Sequence, residues 1–236
     1  MLEALKARVY EANLELKRSG LVILTWGNVS GIDRDARLVA IKPSGVSYED
    51  MRPERMVIVD LEGNVVEGKM RPSSDTPTHL VLYREFEGIG GVAHTHSTHA
   101  TACAQLGRPL PCYGTTHADN FRGAIPVTKP LTDEALQGDY ELETGLAIVR
   151  AFAEIDPHEV PAVLVAGHGP FTWGLSPEAA VENSIVLEQV AHMAGLMQAS
   201  AEAIGGALRP IGRELLDKHF LRKHGKDAYY GQKHRG

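Results

Sequence analysis

The chain has 236 residues, 43% of them hydrophobic and 23% charged, and a formal net charge of -6. This apolar content excludes intrinsic disorder, and the acidic balance argues against nucleic acid as the main partner. No apolar run approaches the roughly 20 residues that a membrane span needs.

The opening segment Met1–Lys6 is amphipathic, without the apolar core of a secretory leader. With only two cysteines, Cys103 and Cys112, a disulfide framework is not expected, and reduced thiols in a cytoplasm are.

In chain order, Leu2, Leu5, Val9, Ala12 and Leu16 recur at helical spacing, with Gly20 as the stop. Leu21–Leu24 reads as a buried strand, and Gly27-Asn28-Val29-Ser30 as a turn. Leu38–Ile41 reads as a second strand, ending in the loop signal Lys42-Pro43-Ser44-Gly45. Met56–Asp60 and Val65-Val66 flank Glu62-Gly63-Asn64 as a hairpin. Asp75-Thr76-Pro77 marks a helix start, with helix over Thr76 to about Phe86. Gly91–His96 reads as a short strand, and Ser97 as the cap of a helix through Gln105.

Residues 107–137 carry little periodicity, with a capping signal at Thr132. Helix is expected over Leu142–Ala153 and a strand over Val160–Val165, running into Gly167-His168-Gly169. Ser176-Pro177-Glu178 caps a long helix through about Ala203, its apolar side including Val181, Ile185, Leu187, Val190 and Leu196. A last helix covers roughly Gly212–His224. Alternating helices, strands and hairpins without a linker predict a single three-layer α/β domain over 1–236.

Several groups of residues could carry chemistry. In a strand, His94 and His96 point to one face, so both imidazoles can reach one point. His168 sits between two glycines at a predicted strand end, and three imidazoles with an open position describe a catalytic zinc-type site; taken singly, the HxH pair is equally a structural feature and His168 a turn histidine bonded to backbone. Asp75 is either a fourth ligand, a base or simply a helix cap. Ser73-Ser74 at a helix start, with the turns Gly27-Asn28 and Ser44-Gly45, could wrap a phosphate; taken singly, each is ordinary turn chemistry. Asp119, in the irregular Gly114–Asp119 stretch, is a candidate acid/base or a solvated loop residue. The basic run Lys218–His224 complements a helix dipole, and the tail with Tyr229-Tyr230 is either disordered or reaches into a site as a lid or proton donor.

Seven segments in order resemble the class II aldolase/epimerase (adducin-head) family. They are Thr25–Ser30, Ile41–Val46, Pro72–His79, His94–Ser97, Gly114–Asp119, His168–Phe171, and Leu216–His219 through Tyr230-Gly231-Gln232. The resemblance implies a central, mostly antiparallel β-sheet flanked by helices. It implies Zn²⁺, replaceable by Mn²⁺ or Co²⁺, on His94, His96 and His168, with Asp75 on or beside it. Gly27, Asn28, Ser44, Gly45, Ser73 and Ser74 are implied to hold a substrate phosphate. Asp119 and Tyr230 are implied as the two acid/bases, supplied by an adjacent subunit of a homotetramer, with Thr115, Glu141 and His219 nearby and the 225–236 tail contributing to the site.

The implied activity is epimerisation of L-ribulose 5-phosphate to D-xylulose 5-phosphate by retro-aldol cleavage, aldehyde rotation and re-addition. The alternatives are a sugar-phosphate aldolase of the fuculose or rhamnulose type and a non-catalytic adducin-like oligomeric module.

Overall fold

The computed structural model describes residues 2–231; Gln232 and the rest of the expected tail, 232–236, lie outside the described residues. Helix α1 (Leu2–Arg18) buries Leu5, Val9, Ala12 and Leu16 on one side, as the apolar spacing predicts. The expected strand at Leu21–Leu24 does not form. Leu21 is buried, but Ile23 and Leu24 are exposed and Leu24 has a φ of 55°, so this apolar run is a connector beside a site. The turn expected at Gly27–Ser30 falls earlier, at Leu24–Thr25, because Asn28 already opens β1 (Asn28–Asp33).

The strands β2 (Leu38–Ile41), β3 (Val57–Asp60) and β4 (Val65–Glu67) follow as a meander, including the expected hairpin. Then come α2 (Thr76–Glu85), β5 (Gly91–His94) and α3 (Thr98–Leu106). The aperiodic stretch holds two short helices, α4 (Thr115–Ala118) and α5 (Asp133–Gln137), the second capped by Thr132 as expected. Next are α6 (Tyr140–Ala151), β6 (Ala162–Leu164) and β7 (Pro170–Gly174), a strand absent from the sequence reading. The chain closes with α7 (Pro177–Ala203) and α8 (Arg213–His224).

The strands form one seven-stranded sheet in the order β4-β3-β2-β1-β5-β7-β6, every neighbouring pair antiparallel. Alternation along the strands separates two faces. Val39, Ile41, Val57 and Val59 point to the side covered by α2 and α6, where Tyr83, Phe86, Ile148, Phe152 and Trp173 are buried. Ala40 and Ile58 point to the other side, against Leu5 and Val9 of α1. Farther along that side, Val29 and Ala93 meet Ala12, Leu16, Ala180 and Val181 of α1 and α7.

Gly91 makes the α7 packing possible: a Cβ there would lie 2.4 Å from the Pro177 nitrogen. On α7 itself Val181, Leu187 and Val190 are buried as expected, whereas Ile185 and Leu196 face outward. Among the described residues no helix is long and apolar enough to cross a membrane.

Candidate metal centre and active site

The registers of the central strands place the site. Asn28, the first residue of β1, pairs with His94, the last of β5, and His94 pairs with Phe171 of β7. The three therefore form a row at one end of the sheet. Strand β5 stops at His94, so His96 is not its same-face neighbour on a strand; it lies in the turn between β5 and α3. His168 comes from the tight turn before β7, closed by Val165 N donating to Gly169 O at 2.9 Å. That turn sits against β5 closely enough that a Cβ on Gly169 would be 2.8 Å from Thr95 O.

The three imidazoles converge, with ring centroids 4.7–5.0 Å apart and one nitrogen of each within 4.8 Å of the others. The His94 ring stacks on Phe171 at 4.2 Å. Its Nδ1–H donates to the Pro170 carbonyl at 2.9 Å, which leaves Nε2 with a free lone pair. The His168 Nδ1 is 3.2 Å from the Tyr140 hydroxyl. Burial and the neighbouring rings push His168 down to about 4 and also lower His96, so both rings are neutral near pH 7. Converging imidazole nitrogens, two of them on rings with a backbone or hydroxyl partner at the far atom, are the donor set a divalent cation takes, so the residues fit the implied metal.

Asp75 lies beside this trio; it holds the N-cap position of α2, but its side chain makes no capping bond. Its Oδ2 accepts from Asn28 Nδ2 at 2.6 Å and weakly from Ser73 Oγ at 3.4 Å. Burial raises its pKa, but His94, His79 and the Asn28 amide outweigh this and hold it below the usual carboxylate range. Asn28 Nδ2 also donates to Ser73 Oγ at 3.1 Å, and Asn28 Oδ1 is buried without a partner among the described residues.

The trio and Asp75 open into a cavity of about 420 Å³. Gly27, Asn28, Ser44, Gly45, Ser73 and Ser74, the expected phosphate-binding residues, all line it, as does Glu141. Gly27 owes its place to backbone geometry: it has a φ of +78°, and a Cβ would lie 2.9 Å from His94 O.

Two further lining residues, Lys42 and Tyr140, escaped the sequence reading. Lys42 is buried at the end of β2, and burial pushes its ammonium down to about 8 against the pull of Asp75. A lysine closing an apolar strand just before Pro-Ser-Gly was the available signal. Nothing in the local sequence marks Tyr140.

Thr115, Asp119, His219 and Tyr230 do not line this cavity. They belong to a second cluster, where α4 meets α8 and the tail. Arg222 donates to both Asp119 oxygens, Nε at 3.0 Å and NH2 at 2.6 Å, and His219 Nδ1 is 2.9 Å from Oδ1. Burial raises the Asp119 pKa, but these partners more than reverse it, so the group is a carboxylate with a lowered pKa. Tyr230 is exposed, its ring 5.0 Å from the Arg222 guanidinium and 4.8 Å from Lys223 Nζ. Thr115 opens α4, whose other end is capped by Asp119.

The sequence matches the model of the Class II Aldolase and Adducin N-terminal domain over residues 7–194. It is 54% identical over 232 residues to the L-ribulose-5-phosphate 4-epimerase UlaF of Salmonella paratyphi B, covering 98% of this chain and 100% of that protein. It is equally similar to the protein of the same name from Salmonella typhi. Among solved structures, an L-fuculose 1-phosphate aldolase superposes with a TM-score of 0.74 at 24% identity, covering 94% of this chain and 96% of that one; this likeness concerns the fold. A convergent imidazole trio at the end of an antiparallel sheet, a match over most of the length and these relatives place the chain in the class II aldolase and adducin family.

Proposed function

We propose that this protein epimerises L-ribulose 5-phosphate to D-xylulose 5-phosphate, inverting carbon 4 by breaking and re-forming the C3–C4 bond. One observation carries the reading: a metal-type imidazole trio shares a cavity with three small polar turns suited to a phosphate, in a chain 54% identical to proteins named for that reaction.

Carbon 4 is not adjacent to the ketone, so its hydrogen is not acidic and direct deprotonation is very costly. Removing the proton of the 4-hydroxyl and cleaving C3–C4 gives a three-carbon fragment and an aldehyde phosphate. His94, His96 and His168 would hold a divalent cation, which would supply Lewis-acid stabilisation of the negative charge that develops on the three-carbon fragment. Gly27, Asn28, Ser44, Gly45, Ser73 and Ser74 hold the phosphate, and so keep the aldehyde from leaving while its carbonyl turns over. Asp75, beside the trio, adds a negative charge that favours a cation there and the charged form of Lys42.

Two acid/bases on opposite faces are required, because the proton leaves from one side and returns from the other. Asp119, an ionised carboxylate, and Tyr230, a phenol on an exposed tail, suit that pair. In this reading they serve the cavity of a neighbouring copy in a homotetramer, with Thr115, His219 and Glu141 in support. The two free thiols suit a cytoplasmic setting.

The test is direct. Zinc-loaded protein incubated with L-ribulose 5-phosphate is expected to form D-xylulose 5-phosphate, and L-fuculose 1-phosphate is expected to give no rapid release of dihydroxyacetone phosphate. The reverse pattern would make the protein an aldolase, and silence on both substrates would favour the non-catalytic oligomeric module.

A further inference from the structure

His96 is the least supported of the three imidazoles. His94 is tied through Pro170 O and stacked on Phe171, and His168 meets Tyr140. Among the described residues no hydrogen bond reaches the His96 ring, and its nearest aromatic outside the trio is Trp26, with centroids 6.1 Å apart. Where this ring points is therefore decided by its backbone, the turn of residues 95–97. The upstream end of that turn is fixed by the β5 ladder, which stops at His94. The downstream end is the first turn of α3, which begins at Thr98.

The natural cap of α3, Ser97, makes no side-chain capping bond. A residue from far along the chain does so instead. The Glu188 carboxylate, on α7, accepts from His99 N at 2.9 and 3.1 Å and from Ala100 N at 2.9 Å, and its Oε1 is 2.8 Å from His99 Nδ1. A carboxylate on free N–H groups at a helix start is favoured by both hydrogen bonding and the helix dipole. The Glu188 side chain is only 17% exposed, so water competes little for these bonds. The His99 ring also stacks on His192, one turn along α7 from Glu188, with centroids 4.0 Å apart. Residue 99 is thus gripped by backbone, ring edge and ring face from a single helix.

We propose that Glu188 is a positioning residue of the metal centre: its grip on the start of α3 sets the 95–97 turn, and through it the direction in which His96 presents its nitrogen. This rests on the reading of the trio as a divalent-cation site.

The test is the dissociation constant for Zn²⁺, measured by chelator competition on the purified full chain. Wild type, Glu188→Gln and Glu188→Ala are compared, with Gln189→Ala as a control on an exposed position of α7, and apo-protein thermal unfolding is followed in parallel. Glu188→Ala is expected to weaken Zn²⁺ binding roughly 10-fold or more, the low end of what loss of an outer-shell partner costs. Glu188→Gln, which keeps an acceptor for the backbone N–H groups, should fall between Glu188→Ala and wild type. The Co²⁺-loaded Glu188→Ala protein should also show an altered visible spectrum, since a displaced His96 changes the ligand field.

A wild-type constant and spectrum in both variants, with only the apo unfolding temperature lowered, would make Glu188 a plain helix anchor and overturn the proposal. If Glu188→Ala does not fold, wild-type affinity in Glu188→Gln and Glu188→Asp together has the same force. Failure of the wild-type protein to bind Zn²⁺ would instead remove the metal reading on which the proposal stands.

Discussion

Arg222 holds Asp119 by both oxygens across 103 residues of sequence and lays the same guanidinium 5.0 Å from the ring of Tyr230. The Arg222 carbonyl also accepts from the backbone N–H of both Tyr229 and Tyr230. One side chain thus joins the two groups assigned to proton transfer and keeps Asp119 ionised. Asp119→Asn is expected to retain zinc and lose roughly 10²- to 10⁴-fold in kcat, the usual worth of a positioned acid/base. The pH profile gives a finer check. Arg222 favours the charged form of Asp119, so Arg222→Met raises that pKa, and the acidic limb of kcat/KM moves to higher pH. An acidic limb that stays in place would separate Asp119 from the reaction.

The family resemblance implies Tyr230 as the second acid/base, and its hydroxyl, on an exposed ring beside Arg222, is the atom to test. Tyr230→Phe removes only that oxygen and leaves the ring against Arg222 and Lys223. The expected outcome is a wild-type unfolding temperature with turnover reduced at least roughly 10²-fold. A turnover rate equal to wild type would take the tail out of the proton transfer.

Asn28 stands where metal site and phosphate cradle meet. Its Nδ2 serves Ser73 and Asp75, and its Oδ1 is an uncommitted acceptor. Asn28→Ala loses a bond to an ionised carboxylate, worth about 1.5–3 kcal/mol, and frees Asp75 and Ser73 to reorient. With the cradle loosened, the substrate KM is expected to rise roughly 10-fold, equivalent to about 1.4 kcal/mol of lost phosphate binding. Some aldehyde phosphate should also escape, detectable by trapping it during turnover. Unchanged KM with no trapped aldehyde would exclude Asn28 from the cradle.

Much of this arrangement was legible in the sequence, and the exceptions have physical causes. Helices α1, α2 and α7 carry an apolar stripe or a capping-type residue with Pro at one of the first two positions, which are local properties. Strand β7 escaped because Pro170 and Gly174 bound a five-residue run, both disfavoured in strands, although four of its residues are buried. The run Leu21–Leu24 reads as a strand because unbroken apolarity without alternation does not distinguish a strand from a connector; Leu21 and, in part, Val22 pack on the core, while Ile23 and Leu24 are exposed.

Within the site, the HxH and GHG patterns pointed to the trio, yet for a reason the structure changes. His96 converges with His94 across a turn and not along a strand. Tyr140 and Glu188 are not legible in the sequence because what gives them meaning lies far away along the chain. Glu188 grips His99, 89 residues distant, and Tyr140 meets His168, 28 residues distant.

Metal dependence follows from the trio. Exhaustive chelation is expected to abolish epimerisation without unfolding the protein, because the sheet and its covering helices are packed independently of the imidazoles. Zn²⁺, Mn²⁺ or Co²⁺ should restore activity, since all three accept imidazole nitrogen. His96→Ala should bring the zinc stoichiometry close to zero and remove turnover with it. A variant retaining full metal content would deny His96 its role as a ligand.

Lys42 makes the last prediction, and its sign differs for binding and for stability. Burial pushes its folded-state pKa to about 8, below the ordinary 10.5. Below pH 8 the ammonium is charged in both folded and unfolded chains, so the cost of burying it is present in full. Between about pH 8 and 10.5 the folded chain releases this proton while the unfolded chain keeps it, so the contribution of Lys42 to stability rises with pH across that window. Binding runs the other way. The charged form is the one that attracts a phosphate or a developing oxyanion in the shared cavity, so KM should climb as the pH passes about 8. Lys42→Met should raise KM at neutral pH, flatten that alkaline limb, and make the substrate-free protein more resistant to heat at pH 7. Measuring KM and the unfolding temperature of both proteins from about pH 6 to about pH 10 checks all three expectations. An alkaline limb that persists unchanged in Lys42→Met would assign it to another group and leave Lys42 without a part in binding.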